Sequence, residues 1–468
     1  MRVSRRELVA ASLLLACAPR SGHPVRPAAW EATPGDWLEQ WLAAFNDERA
    51  SAYPDFVKAY IPALIPYLDD DLGLREATGG FTLLRHEQAA PGQLTAWLRD
   101  RNWERFSKAV LSIGDGRIDD LSFLGAPPPG GFAIQRLSEH GAVTQLHQKL
   151  EEEVAASRFS GAVLVAKEET VLFRAAYGSQ GAGEGLAVTP ATRFCIGSMG
   201  KMFTAVAILQ LVQDGRLRLT GTVASLLPAY PDTALARQVT VQHLLTHTGG
   251  TGDFFGAVYD AHAAELQTLA GFIRLFGARE AAFSPGSRWG YSNFGFILLG
   301  AIIEQVSGLS WEAYLERHVF RPAGMPATSP AASAGNTASP CTGAARTGLR
   351  PLPFYAGLPA GGGYSTIDDL HRFGMALRET RLLDARHLGL LTAASVQAGN
   401  SQWSLGLRVS VRNGEAYYGH GGSAPGVNAD FAIYPHAGYT VIVLANRGHP
   451  HAANVADFVG ARLPRAKG

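Results

Sequence analysis

In FCIGSMGKMFTAVAILQLV, residues 194–212, a serine at 198 precedes a lysine at 201 by three positions, and the rest of the run is apolar. On a helix that spacing stacks both side chains on one face, one turn apart. The start of a helix also offers unpaired backbone N–H groups, which favour negative charge. Lysine gives up its proton when desolvated; arginine does not. The chain carries few lysines (Lys58, Lys108, Lys149, Lys167, Lys201 and Lys467), and of these only Lys201 has serine at the −3 position. The chemistry this suggests is nucleophilic, with Ser198 attacking and a neutral Lys201 taking its proton. Taken alone, the pair also fits a lysine that snorkels from a helix edge.

Two further stretches could complete such a site. FSPGSRWGYSNFGFILLG holds Tyr291 and Asn293 two apart, just before an apolar helix. Tyr291 could share or relay the proton. Asn293 could donate to a substrate carbonyl and hold Lys201. The competing readings are a turn aromatic covering the core and a helix N-cap. YYGHGGSAPG holds His420, Gly421 and Gly422 at a strand end, where glycines would let a substrate backbone pack against the strand. The N–H groups of Ser423 and Ser198 would then form an oxyanion hole, in which losing one donor costs about 10²–10³ in rate. The competing reading is a glycine-rich turn with an incidental histidine.

The elements that must position these residues are legible around them. Residues 1–29 read as an export signal and Pro-rich tether. Arg2, Arg5 and Arg6 form a positive head, Leu8 to Ala16 an apolar stretch too short to span a bilayer, and SRRELV resembles a twin-arginine signal. LLAC resembles a lipobox that would lipidate Cys17 and attach the chain to a membrane; an ordinary signal cleaved near Ala18 is the alternative. The localisation expected is periplasmic or membrane-anchored. Residues 30–125 read as a small α+β domain. Trp37, Leu38, Trp41, Leu42 and Phe45 line one helical face, strands follow, and GDG at 114–116 marks a hairpin. Residues 126–134 form a linker, and 135–468 a larger domain. This opens with a hairpin around Lys167–Thr170, continues through a mostly helical middle, and returns to strands before a closing helix at about 451–463. Ser365 stands three before Asp368, a capping-box spacing, and 326–350 reads as a surface loop. Strands at both ends of the domain imply an α+β fold, one antiparallel sheet flanked by helices, with a helical subdomain alongside.

Residues of about 140–465 resemble the β-lactamase-related serine hydrolases, which include penicillin-binding proteins, class C β-lactamases, D-aminopeptidases and family VIII esterases. Ser198-Met199-Gly200-Lys201, Tyr291-Ser292-Asn293 and His420-Gly421-Gly422 carry the likeness. LLTHTGG (244–250), GGGYSTIDDL (361–370) and PAGMPATSP (322–330) also resemble family segments and read as scaffold. The front domain resembles the cone-shaped nuclear-transport-factor-like domains. The resemblance implies a β-lactamase/transpeptidase-like fold and an acyl-enzyme at Ser198. Lys201 and Tyr291 would move the proton, which of them is the base being open; Asn293, His420, Gly421, Gly422 and Ser423 would bind substrate. No metal or cofactor is implied. Where β-lactamases usually carry Lys-Thr-Gly, the charged head is here a histidine and the central hydroxyl is replaced by Gly421, which weakens recognition of a carboxylate. The expected substrate is therefore a small ester or a D-amino-acid amide or peptide; the alternative is a protein that binds penicillin or cell-wall peptide with little turnover.

The rest of the sequence narrows the field. With 468 residues there is chain enough for two cores, and 47% hydrophobic content fits a globular protein. A formal net charge of +1, with no long basic run, gives nothing for nucleic acid to bind. Cys195 and Cys341 have no spacing that demands a disulfide. His243 and His247 are four apart, but no glutamate follows His243 as the H-E-x-x-H zinc motif requires, so both read as structural.

Overall fold

The computed structural model describes residues 33–466 apart from 115–116, 182–185, 232, 264, 267, 331–336 and 339–356. The export signal, Cys17, Cys341, the tip of the GDG turn and most of the 326–350 stretch lie outside the described residues. Two compact units divide between Gln135 and Arg136.

The first unit begins with the helix Pro34–Asn46, entered through a capping box in which Asp36 N donates to Thr33 Oγ1 and Thr33 N donates to Asp36 Oδ2 at 2.7 Å. Trp37, Leu38, Trp41, Leu42 and Phe45 are all buried. Two further helices, Ala52–Tyr60 and Leu68–Thr78, have no counterpart in the sequence reading. Strands β1 (Phe81–Ala90), β2 (Gln93–Asp100), β3 (Phe106–Gly114) and β4 (Arg117–Gly125) form an antiparallel meander in that order. Phe81 and Phe123 of the sheet stack at 5.8 Å and pack against Trp41.

The second unit is built on eight antiparallel strands: β5 (Gly161–Lys167), β6 (Thr170–Tyr177), β9 (Val396–Ala398), β10 (Ser401–Trp403), β11 (Arg408–Arg412), β12 (Glu415–Ala424), β13 (Val427–Tyr434) and β14 (Tyr439–Ala445). Their order is β6-β5-β14-β13-β12-β11-β10-β9, so the C-terminal strand bridges the opening hairpin to the rest. The helices Glu139–Ala155 and His451–Arg462 lie on one face, while Ile367–Arg378 packs on the other against β5 and β14. Cover on both faces explains why β13 and β14 are buried along their whole length rather than alternating. Between them, β7 (Phe194–Cys195) pairs with β8 (Tyr364–Ser365) beside the nucleophile's turn.

The helix Gly200–Gln213 is apolar nearly all round and buried on every face between the sheet and the helix Asn293–Ser307. Each fully buried Phe, Ile or Leu along these two helices contributes roughly 1.5–3 kcal/mol. The capping residue of Ile367–Arg378 is Thr366, whose hydroxyl accepts from Asp369 N at 3.2 Å, one position later than the sequence spacing suggests. Ser365 is instead engaged with Thr328 at 2.8 Å.

Candidate active site

Ser198 sits in the single 3₁₀ turn Gly197–Met199 that runs directly into the helix Gly200–Gln213. Gly197 has a left-handed backbone, with φ 51°. A Cβ on it would stand 3.0 Å from Ser423 N, so a glycine is what lets strand β12 approach the nucleophile's turn. On the other side, Gly362 N donates to Gly197 O at 2.9 Å, and Ile196 N donates to Gly363 O. Gripped from both sides, the turn holds Ser198 half-exposed and Lys201 fully buried.

Lys201 Nζ lies 3.2 Å from Ser198 Oγ and 2.7 Å from Asn293 Oδ1, and it also bonds Ala360 O. All three partners are uncharged oxygens. Burial therefore pulls the amine down to about 7, with Asp253 pulling the other way. Tyr291 shares a hydrogen bond with Ser198, and burial drives its phenol above the ordinary value. The amine is thus poised to lose a proton at neutral pH while the phenol keeps its own. Asn293 is the first residue of its helix rather than the cap; Ser292 caps it by accepting from Gly295 N at 2.9 Å. That leaves the Asn293 amide free to face Lys201.

The third stretch lies on β12. Strand alternation turns His420 and Gly422 to the site and Gly421 to the opposite face, where a Cβ would meet Ala429 O and Asp430 Oδ2. Gly421 thus reaches the site only through its backbone. A Cβ on Gly422 would lie 2.0 Å from Ile196 O, so this glycine admits the nucleophile's own turn rather than a substrate backbone. Ser423 N stands beside the same turn, as a second oxyanion donor must. His420 is buried and its Nδ1 lies 2.6 Å from Gly421 O, which assigns the ring proton to Nδ1. Burial, then the nearby Lys201, pushes its acidity to about 3, so the imidazole is neutral.

Three groups that were not among the candidates from sequence belong to this site: His247, read there as structural, and Ala360 and Asp253, which that reading did not single out. Ala360 supplies a carbonyl to Lys201. His247 stacks on Tyr291 with ring centroids 4.3 Å apart and accepts from Ser292 N through Nδ1 at 3.1 Å. It does so from a left-handed backbone, φ 59°, which costs a non-glycine residue of order 1–3 kcal/mol and is held by the bond from Gly290 N to its carbonyl. Asp253 accepts from Asn293 Nδ2 at 2.8 Å. A lone acid after a run rich in glycine and threonine was the available signal for Asp253; its distance in sequence from Asn293 hid the contact. Trp289 and Trp403 close the wall around His247 and His420. His243 Nδ1 turns to its own helix start at Thr240 N, away from any shared ligand position with His247. Among the described residues no group of His, Cys, Asp and Glu is arranged to hold a metal ion. Cys195 is buried, and burial lifts its thiol to about 11, which makes it inert as a nucleophile.

Comparison with known proteins identifies the family. The sequence profile of the Beta-lactamase family matches residues 146–463. The chain is 30% identical over 312 residues to penicillin-binding protein 4 of Amycolatopsis lactamdurans, covering 62% of this chain and 81% of that one. It is 31% identical over 211 residues to esterase EstB of Burkholderia gladioli, covering 42% of this chain and 53% of the relative. A D-stereospecific amidohydrolase from Streptomyces sp. superposes with a TM-score of 0.56 at 27% identity, covering 69% of this chain and 99% of that one.

Proposed function

Because the chain belongs to the beta-lactamase family, whose members include serine hydrolases, we propose that it hydrolyses a small ester or a D-amino-acid amide through an acyl-enzyme on Ser198. The observation that carries this reading is the buried Lys201 amine, 3.2 Å from Ser198 Oγ and held by neutral oxygens alone. In the neutral form its two N–H bonds go to Asn293 Oδ1 and Ala360 O, and its lone pair faces the serine hydroxyl. Ser198 Oγ attacks the substrate carbonyl carbon and its proton passes to Lys201. The oxyanion accepts from Ser198 N and Ser423 N. Tyr291 hands a proton to the leaving group and recovers one from Lys201. Water then releases the acyl group by the reverse proton path.

The substrate class follows from His420. A neutral imidazole, with Nδ1 committed to Gly421 O, presents an acceptor where a lysine would present a positive charge. Arg408, on the neighbouring strand, is tied to Asp430 at 3.2 Å. Neither group favours a substrate carboxylate, so esters and uncharged amides suit the site better than β-lactams. The relatives named above, an esterase and a D-stereospecific amidohydrolase, are in keeping with this. Export is part of the proposal and rests on Arg2, Arg5, Arg6 and the apolar run before Cys17.

The test is labelling with a fluorophosphonate probe, followed by a panel of p-nitrophenyl esters, D-alanyl amides and nitrocefin. The expected outcome is labelling of the wild type, none of Ser198→Ala with its fold intact, and faster turnover of esters or amides than of nitrocefin. Equal labelling of both proteins removes Ser198 from the mechanism. Stoichiometric capture of penicillin without ester turnover favours a binding protein instead.

A further inference from the structure

We infer that Asp253 is a positioning residue, locking the Asn293 amide in the one orientation that offers its oxygen, and not its NH₂, to Lys201. The inference rests on the reading of Lys201 as base. A continuous chain of contacts carries it. Asp253 Oδ2 accepts from Asn293 Nδ2 at 2.8 Å; Asn293 Oδ1 accepts from Lys201 Nζ at 2.7 Å; Nζ stands 3.2 Å from Ser198 Oγ. An amide has two chemically opposite ends of nearly equal size. Turned the other way, Asn293 would donate to the Lys201 lone pair and compete with the serine hydroxyl for it. A carboxylate accepts only, so it forbids that orientation.

The carboxylate is itself fixed. Its Oδ1 accepts from Phe254 N at 2.7 Å, leaving Oδ2 for the amide. The loop that carries it is strapped to the turn before Asn293 at several points. Gly290 N donates to His247 O and Gly286 N to Thr248 O, each at 2.8 Å; Thr251 Oγ1 and Ser292 Oγ are 2.8 Å apart; and Ser292 Oγ donates to Gly252 O. Gly250 and Gly252 both have φ 67°, and a Cβ on Gly250 would collide with Phe283 O, so the path of the loop depends on glycine there. This loop and the Tyr291-Ser292-Asn293 turn are in effect one rigid piece, with the acid at its end.

The charged and titratable neighbours are few. Lys201 is faced by Tyr291, His247 and His420, the two imidazoles held neutral by burial. Asp253 is faced by Arg279, which donates to its carbonyl oxygen and whose own charge Asp253 favours against burial. The negative charge on Asp253 favours the protonated amine. Removing it should move the rising limb of the activity–pH curve to lower pH, a shift that mere loosening of the fold would not produce.

The experiment measures the rate of fluorophosphonate labelling of Ser198 against pH in the full chain. In Asp253→Asn the one remaining oxygen cannot serve both Phe254 N and Asn293 Nδ2. We expect the plateau rate to fall about 10–100-fold, as when outer partners that orient a working group are removed, and the midpoint to move down. The exchange Asp253→Asn with Asn293→Asp puts the carboxylate directly on Lys201, and its midpoint should rise above the wild type. Opposite shifts in the two variants support the inference. An unmoved midpoint in both, or a wild-type rate in Asp253→Asn, overturns it. Loss of folding in both also overturns it, because Asp253 would then hold the loop rather than the amide. If the wild type itself is not labelled at Ser198, the fault lies with the proposed function and not with Asp253.

Discussion

Strand β12 separates two buried cations that meet opposite fates. On its His420 face, Lys201 is surrounded by uncharged oxygens, and burial brings the amine down to about 7. On the other face, Arg412 is also buried. There Asp457 lies 2.6 Å from its Nη2 and Asp430 3.9 Å, Tyr434 OH accepts from Nη1 at 2.5 Å, and the guanidinium sits over the Tyr417 ring at 4.4 Å. Burial works against its charge too, yet Tyr434 and Asp457, with Tyr417 and Asp430, hold it well above the ordinary value. Depth alone therefore does not decide ionisation. Partners with full negative charge keep a buried cation charged, and dipolar carbonyls leave it free to titrate. Residue choice follows the same division, since guanidinium cannot serve as a base.

The comparison breaks most visibly if Lys201→Arg retains activity. The expected outcome is a fall of about 10²–10⁴ in kcat/KM, the share of a general base, with thermal unfolding little changed. Next comes Asp430→Ala, which leaves Arg408 and Arg412 short of a buried partner and should lower the unfolding free energy by about 3–5 kcal/mol in urea titrations. The kcat of its folded fraction should stay near wild type. A large loss of kcat with unchanged stability would mean that the two faces are not separate. The pH profile sharpens the contrast further. Since Lys201 must be neutral to act, kcat/KM should rise about tenfold per pH unit below a midpoint near 7. It should hold until the raised Tyr291 phenol begins to ionise. A midpoint at the ordinary lysine value would place a hidden anion beside the amine. The smallest effect is that of salt. Raising ionic strength to about 1 M screens exposed pairs such as Arg174–Asp368 but leaves the Lys201 midpoint in place, because buried charges are screened little.

What the sequence disclosed follows the range of its interactions. Ser198 with Lys201, the hairpin of β5 and β6, and the capped first helix depend on neighbours in the chain, so spacing reveals them. The fold class was legible because strands frame the helical middle. Asp253 and Ala360 were not, since each reaches Lys201 or its partner across loops whose course is set by glycine backbones and strapping hydrogen bonds. His247 read as structural, which fits its stacking on Tyr291, but the contact itself needs the left-handed turn. In the front unit, LDDDLGLREAT lacks a clean apolar stripe and PALIPY carries two prolines, so those helical segments left little periodic signal.

The position of β14 between β5 and β13 has a consequence for how the protein must be made. The first hairpin of the sheet has no neighbour to join until the last strand has emerged from the ribosome, roughly 270 residues later in synthesis. A nascent or truncated chain therefore waits with the apolar edge of β5 unpaired, open to other chains and to chaperones, while β9 to β14 can pair with their neighbours in turn, so that the joining of the opening hairpin is the late event.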